Sequence, residues 1–181
     1  MIELRHIYLL CGLYLAYVAW QTLRDSGHSK RITTTAFWSL LAAAFLIGDR
    51  LPDTVMGLMV LAIAALAGLG GIGTGNYRVA QPAQREAKAA ALGNRLFIPA
   101  LLIPLLTLAG VFLFPLLQWQ EYALVSSIQT TVIALGIACL LAFGVAVRLA
   151  NERMTDAVHG SRGILDAIGW ALLLPLLLAM L

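Results

Sequence analysis

The sequence predicts an all-α polytopic membrane protein that forms a single integral-membrane domain over residues 1–181. Composition is the first observation: 61% of the residues are hydrophobic and only 12% are charged, whereas a soluble domain is roughly half apolar and a quarter charged. The second is that the apolar residues form six long runs without a charged residue. The third is that lysines and arginines concentrate in alternate loops. A disordered chain is excluded, since disorder requires low hydrophobicity.

The six apolar runs predict about six transmembrane helices. They cover residues 7–23, 32–48, 54–72, 96–117, 123–147 and 167–181. A membrane-spanning helix needs about 20 apolar residues, and roughly 17 to 25 are tolerated. Five runs meet this length, and the sixth is somewhat shorter. None alternates between apolar and polar residues as the strands of a membrane barrel do.

The distribution of cations predicts the orientation of these helices. Ten lysines and arginines lie in the first, third and fifth loops: Arg24, Lys30, Arg31, Arg78, Arg85, Lys88, Arg95, Arg148, Arg153 and Arg162. Only Arg5 precedes the first run, and only Arg50 lies in the second loop. Cytoplasmic loops are enriched in cations, so the N-terminus is expected outside. The net charge of +3 therefore reflects topology, and no nucleic-acid partner is expected because no basic stripe with interleaved aromatics is present.

Glycines at the end of the third run match the dinucleotide-binding pattern GxGxxG over residues 68–73. That motif requires a preceding strand, a following helix and an acidic residue about 20 positions later. Here an apolar helix precedes it and a polar loop follows, so nucleotide binding is not expected. Two interpretations stay open, namely close helix packing through small residues and unwinding of the chain where the third helix ends.

The fifth run carries a small residue at every fourth position. These residues are Ser126, Thr130, Ala134, Ala138, Ala142, Ala146 and Ala150. Small residues at this spacing are typical of a tight helix–helix interface, and we assign helix packing to Ala138, Ala142 and Ala146. The alternative is that hydroxyl groups at the start of this run, those of residues 126, 127, 130 and 131, line a substrate path.

No pattern in the sequence points to an enzyme, a metal site or a cofactor. Glu152, Asp156 and His159 are spaced to share one helical face and resemble half of a metal site. The arginines in the same loop instead favour a solvated, ion-paired helix. No acidic residue lies inside an apolar run, which argues against proton coupling through an intramembrane carboxylate.

The fourth run and the residues before it form the candidate substrate-binding site. Residues Gly93, Asn94, Arg95 and Pro99 precede two further prolines, Pro104 and Pro115. Proline removes a backbone donor, and a helix that opens after Gly-Asn presents unpaired N–H groups that favour an anion. Transporters use broken helices in this way, so we predict a proline-broken helix that holds a small organic anion. The alternative is a kinked structural helix with a cytoplasmic Asn-Arg cap.

Several segments resemble the bacterial inner-membrane proteins of the domain of unknown function 979 family. They are IYLLCGL (7–13), FWSLL (37–41), FLIGD (45–49) followed by LP (51–52), GNRLFIPALLIP (93–104) and LDAIGWA (165–171). The resemblance implies a multi-pass protein of the bacterial inner membrane. It also implies one subunit of a 5-oxoproline (pyroglutamate) transporter, paired with a sister membrane subunit.

Members of that family are longer and continue into a second hydrophobic half with a similar Gly-Asn, Phe and Pro stretch. The resemblance implies that this sequence is the first of two repeats: a fragment, the product of a truncated gene, or a half that assembles with a second-half chain. The expected function is therefore a transporter subunit for a small organic anion. The alternative is a non-transporting membrane scaffold or assembly subunit.

Overall fold

The computed structural model describes residues 4–69, 71–73, 75, 82–116 and 130–169, and these residues form helices and connectors without any strand. The helices are α1 (Leu4–Arg24), α2 (Arg31–Ile47), α3 (Asp53–Gly68), α4 (Pro82–Leu92), α5 (Ile98–Leu116), α6 (Thr130–Ala150) and α7 (Met154–Ile168). Two short 3₁₀ helices, Gly48–Arg50 and Gly93–Phe97, precede α3 and α5. The all-α prediction is confirmed for this part of the chain.

The predicted apolar runs correspond to the longer helices. The first three runs lie in α1, α2 and α3, the fourth in α5 and the fifth in α6. Residues 123–129 of the fifth run and 170–181 of the sixth lie outside the described residues. The third and fifth loops contain the additional helices α4 and α7.

Three helical segments in the described residues are long and apolar enough to cross a membrane, which suggests a membrane protein. They are Arg31–Arg50, Glu86–Phe114 and Thr130–Ala150. The number is smaller than the six predicted from the apolar runs. Helix α3 has only 16 residues, and α1 includes the polar residues Arg5, His6 and Arg24 within its bounds.

One compact unit consists of Tyr8–Arg78 and Val158–Leu181. Its core contains residues from α1, α2 and α3, namely Leu15, Val18, Ala19, Phe37, Trp38, Ala42, Ile63 and Ala67. The Phe37 and Trp38 rings meet edge to face, with their centroids 4.9 Å apart. Gly12 permits close contact with α2, because a Cβ atom there would lie 2.6 Å from Leu46 Cγ. Gly12 thus permits a close approach of α1 and α2 at this point.

The other compact unit consists of Met1–Ile7 and Val79–Ala157. Helix α5 packs against α6, and a Cβ atom on Gly110 would lie 2.8 Å from the Cβ atom of Ala134. Ala138 and Ala142 are buried, whereas Ala146 is half-buried. Of the hydroxyl residues in the alternative interpretation, Thr130 is half-buried and Thr131 is exposed, and residues 126 and 127 lie outside the described part.

The prolines of the fourth run do not break the helix, contrary to the prediction. Helix α5 is continuous from Ile98 to Leu116 and includes Pro99 and Pro104. Pro99 lies in the first turn, where the missing N–H has little effect. The departure from α geometry occurs earlier, in the 3₁₀ helix Gly93–Phe97.

Candidate functional site

The residues predicted to bind substrate lie at the junction between α4 and α5. Gly93 has a φ of +50°, a conformation that glycine adopts without strain. Gly93, Asn94 and Arg95 are exposed, and Pro99 is half-buried. Helix α5 does not begin with a row of free N–H groups as expected, because the preceding 3₁₀ helix continues into it and Arg95 O accepts the Ile98 N–H.

A cluster of buried polar side chains forms a second candidate site, in the unit that contains α1, α2 and α3. We call it the buried cluster, and it consists of Asp25, His28, Trp38, Arg162 and Asp166. The connector between α1 and α2 supplies the first two, α2 supplies Trp38, and α7 supplies the last two. Buried charges are costly unless they are paired, so such a cluster indicates either a structural or a functional role.

The arginine of the buried cluster lies between its two carboxylates. Arg162 Nη2 donates to Asp25 Oδ2 at 3.0 Å, and Arg162 Nε lies 3.8 Å from Asp166 Oδ2. The side chains of Arg162, Asp25 and Asp166 are 8%, 12% and 0% exposed. Trp38 Nε1 donates to the other oxygen of Asp166 at 2.8 Å. Both carboxylates therefore have a charged or polar donor in the interior.

Local sequence explains how these side chains are oriented. Arg162 and Asp166 are four residues apart on α7, so they share one face of the helix. Asp25 Oδ1 accepts the Gly27 N–H at 3.1 Å, which forms a turn immediately after α1. This turn leaves Asp25 Oδ2 available for Arg162.

His28 links the buried cluster to the start of α2. Its Nδ1 atom accepts the Lys30 backbone N–H at 3.2 Å. Its Nε2 atom lies 3.8 Å from Asp166 Oδ2, and the side chain is fully buried. This distance is too long for a hydrogen bond, and within the described part of the chain His28 Nε2 has no hydrogen-bond partner.

A segment after α3 that contains Gly71, Gly73 and Gly75 covers the buried cluster, and we call it the glycine segment. A Cβ atom on Gly75 would lie 2.6 Å from Asp25 Oδ2, 2.7 Å from Arg162 Nη2 and 2.8 Å from His28 Cδ2. A side chain at this position would have to displace the charged ends of Asp25 and Arg162. Helix α3 ends at Gly68, and the next described residues, 69, 71–73 and 75, are not helical. This agrees with the interpretation that the chain unwinds where the third helix ends.

Threonines on α2 hold the same glycine segment. Thr34 Oγ1 accepts the Gly73 N–H at 3.0 Å, and Thr33 Oγ1 donates to Gly71 O. Thr34 is fully buried. These bonds satisfy backbone groups that have left the helix, which apolar surroundings require. The chain has therefore left the helix at these glycines, and their backbone contacts α2 without forming a helix–helix interface.

An open depression of about 710 Å³ lies beside the buried cluster. It is lined by Ser26, His28, Ser29, Lys30, Arg31, Ile32, Thr33, Leu69 and Gly71. Lys30 and Arg31 are exposed, and Lys30 precedes α2 without a side-chain cap. The depression thus combines two cations, three hydroxyl groups and the positive end of α2, which together favour an anion. We call it the basic depression.

The residues around Arg162 predicted a solvated, ion-paired helix. This segment is helical as α7 and Arg162 is ion-paired, but Arg162 is only 7% exposed, so it is not solvated. The i, i+4 spacing of Arg162 and Asp166 beside apolar residues was the available signal. Two of the three residues that resemble half of a metal site have other contacts, because Glu152 pairs with Lys88 at 2.6 Å and His159 contacts Gln21.

Comparison with known proteins provides the family of the chain but no annotated relative. No curated protein and no solved structure matches the sequence. The sequence model of a family described as "Protein of unknown function (DUF979)" matches residues 5–181, which is nearly the whole chain. This match confirms the resemblance noted from the sequence segments. The protein therefore belongs to the DUF979 family.

Proposed function

We propose that the chain is a membrane subunit of a transporter for a small organic anion, with 5-oxoproline as the first substrate to test. The observation that carries this proposal is the buried cluster next to the basic depression, where the connector between α1 and α2 meets α7. Ionisable groups are costly among membrane helices and are retained mainly along ion or substrate paths. The proposed location is the bacterial inner membrane, with six spans and an outside N-terminus.

The glycine segment gives independent support for transport. Non-helical backbone at the end of an apolar helix is tolerated where protein or a water-filled cavity surrounds it. Transporters form substrate sites from such helix ends and the charges next to them. Here Gly71 lines the basic depression while Gly75 lies against the buried cluster.

The chemistry of the basic depression favours a carboxylate. Lys30 and Arg31 supply positive charge, and the uncapped start of α2 adds the helix dipole. The hydroxyls of Ser26, Ser29 and Thr33 supply hydrogen bonds. A 5-oxoproline molecule carries one carboxylate and one lactam amide, so both kinds of contact have a counterpart in the ligand.

The proposed partners follow from the family resemblance. A sister membrane subunit is proposed, together with a second-half chain that contributes the other repeat. A non-transporting scaffold has less support, because it would use the alanine ladder of α6 as its docking surface. Ala138 and Ala142 are already buried within their own unit.

Uptake of labelled 5-oxoproline tests this proposal in cells that lack their own route. Cells that express the chain with its sister subunit are compared with cells that express the sister subunit alone. We expect uptake above that control, and we expect the double variant Lys30→Gln, Arg31→Gln to lose most of it. The matched control is Arg50→Gln, an exposed arginine outside the depression.

The same assay distinguishes the two candidate sites. Asn94→Ala reduces uptake if the α4–α5 junction binds substrate and leaves it unchanged if the basic depression does. No uptake with both chains confirmed in the membrane would reject 5-oxoproline transport by this pair of subunits. Unchanged uptake in both sets of variants would reject both sites.

A further inference from the structure

The hydrogen bonds of His28 define where its proton lies. The Nδ1 atom accepts the Lys30 N–H at 3.2 Å, and an imidazole nitrogen that accepts a hydrogen bond carries no proton. Neutral His28 therefore has its proton on Nε2, which faces Asp166 Oδ2 at 3.8 Å. This buried Nε2–H is close to a carboxylate and has no hydrogen-bond partner in the part of the chain that the structure describes.

Charged groups approach His28 from α7 and from its own connector. Asp166 lies nearest on α7 and favours a charged imidazole, whereas Arg162 on the same helix opposes it. Arg162 is in turn paired with Asp25, which precedes His28 in the connector. Lys30 follows His28, and its side chain is exposed to solvent. A second proton would give the ring of His28 a positive charge. Among these groups, the buried carboxylate of Asp166 is the one that this charge would attract more strongly.

A second proton on His28 is incompatible with the present backbone contact. It would occupy Nδ1, where the Lys30 N–H already donates, so two donors would face each other. Lys30 is also the residue whose carbonyl accepts the Thr34 N–H at 3.0 Å in the first turn of α2. The same turn forms one wall of the basic depression through Arg31 and Thr33. Charging of His28 therefore breaks its contact with the backbone at the start of α2.

We propose that His28 and Asp166 form a proton-binding site, and that proton uptake there repositions the first turn of α2 and with it the basic depression. The site lies at the helix ends and not within an apolar run, so the sequence pattern did not indicate it. The inference rests on the proposed function in one respect, namely that the basic depression binds the substrate. The site itself is tested without any transport measurement.

The experiment is nuclear magnetic resonance of the full chain in detergent micelles between pH 8 and pH 5. The chain has three histidines, so ¹⁵N-histidine labelling gives few signals, and backbone labelling reports on Lys30, Arg31 and Ile32. We expect His28 to show its proton on Nε2 in the neutral form and on both ring nitrogens in the charged form. We also expect the three amide signals to shift with the same midpoint.

Two variants separate the proposal from a general effect of pH. His28→Asn retains an acceptor for the Lys30 N–H but does not titrate, so the amide shifts should vanish. His159→Asn removes an exposed histidine of α7 and should leave them unchanged. Asp166→Asn keeps an acceptor for Trp38 but removes the charge that faces His28 Nε2, so the pH dependence of the amide shifts should differ from that of the unmodified chain.

Two results would overturn the proposal. One is that His28 stays neutral down to pH 5 while His6 and His159 become charged. The other is that His28 becomes charged but the amide signals of the first turn of α2 do not follow it. Failure of 5-oxoproline uptake with a positive result here would reject the proposed substrate and leave the proton-binding site in place.

Discussion

At the residue scale, the buried cluster is the feature on which both stability and the proposed function depend. Taking charges out of water is costly, and the cost is offset only when partners are well placed. Arg162 has this role, because one of its nitrogens lies 3.0 Å from Asp25 and another 3.8 Å from Asp166. Removal of the arginine would leave two carboxylates in an interior without that cation.

The variant Arg162→Gln should lower the free energy of unfolding by about 3 kcal/mol, as is typical when one member of a buried ion pair is removed. The measurement is the unfolding transition of the purified chain in detergent. Arg153→Gln provides the matched control, since Arg153 is an exposed residue of the connector before α7. Equal stability of the two variants would show that the buried ion pair contributes little.

At the element scale, α2 controls the path of the chain after α3. The glycine segment has left the helix, so its backbone groups need partners elsewhere. Thr34 provides one for Gly73 N, and Thr33 provides one for Gly71 O. The position of the segment over the buried cluster thus depends on two hydroxyl groups of one helix turn.

The variant Thr34→Val should destabilise the chain by about 1–3 kcal/mol, because it leaves the half-buried Gly73 N–H without its acceptor at nearly constant side-chain volume. Thr35→Val is the matched control. In the described residues, Thr35 Oγ1 is buried without a hydrogen-bond partner, so its loss should be neutral or stabilising. Comparison of the two unfolding transitions tests this, and an equal loss in both would contradict it.

In the unit that contains α5 and α6, the close contact between these two helices is the feature on which stability depends. We expect Gly110→Ala to destabilise it by about 1–3 kcal/mol, since the new Cβ atom would lie 2.8 Å from Ala134 Cβ and the helices would have to separate. Gly144→Ala on α6 meets nothing within 4 Å, so it should gain helix propensity. Thermal unfolding in detergent compares the two, and a stable Gly110→Ala would show that α5 and α6 pack less closely.

At the scale of the whole molecule, the cation distribution predicts which loops face the cytoplasm. Cysteine labelling in intact cells tests it, with Cys11 and Cys139 replaced by alanine. Ser26→Cys in the first loop should be protected from a membrane-impermeant thiol reagent, and Asp49→Cys in the second loop should react. Both residues are exposed, so burial does not account for a difference. The reverse pattern would invert the proposed topology.

Much of the fold was predictable because it depends on local patterns. The apolar runs correctly indicated α1, α2, α3, α5 and α6, with boundaries within a few residues where the chain is described. The effect of the prolines was not predicted correctly. Pro99 lies in a first turn that tolerates proline, and α5 continues through Pro104. A proline removes one donor wherever it stands, but its effect on a helix depends on the position within it.

The candidate site was less predictable than the fold. The α4–α5 junction could be proposed from Gly93 and Asn94 alone, and its role in substrate binding remains a prediction. The buried cluster could not, because Asp25 and Arg162 are separated by 137 positions and Trp38 and Asp166 by 128. The i, i+4 spacing of Arg162 and Asp166 indicates an ion pair on α7, but it does not indicate that Asp25 also pairs with Arg162 from 137 positions away.

The sequence by itself determined the class of the protein, the order of its helices and the asymmetry of its cations. These properties follow from hydrophobicity and charge, which are sums over neighbouring residues. Only the tertiary structure decided that His28 faces Asp166 and that Arg162 is buried. It also decided that Gly75 lies against His28 and Arg162. The physical reason is that pairing of buried charges requires elements distant in sequence to meet, and helix packing, not local composition, brings them together.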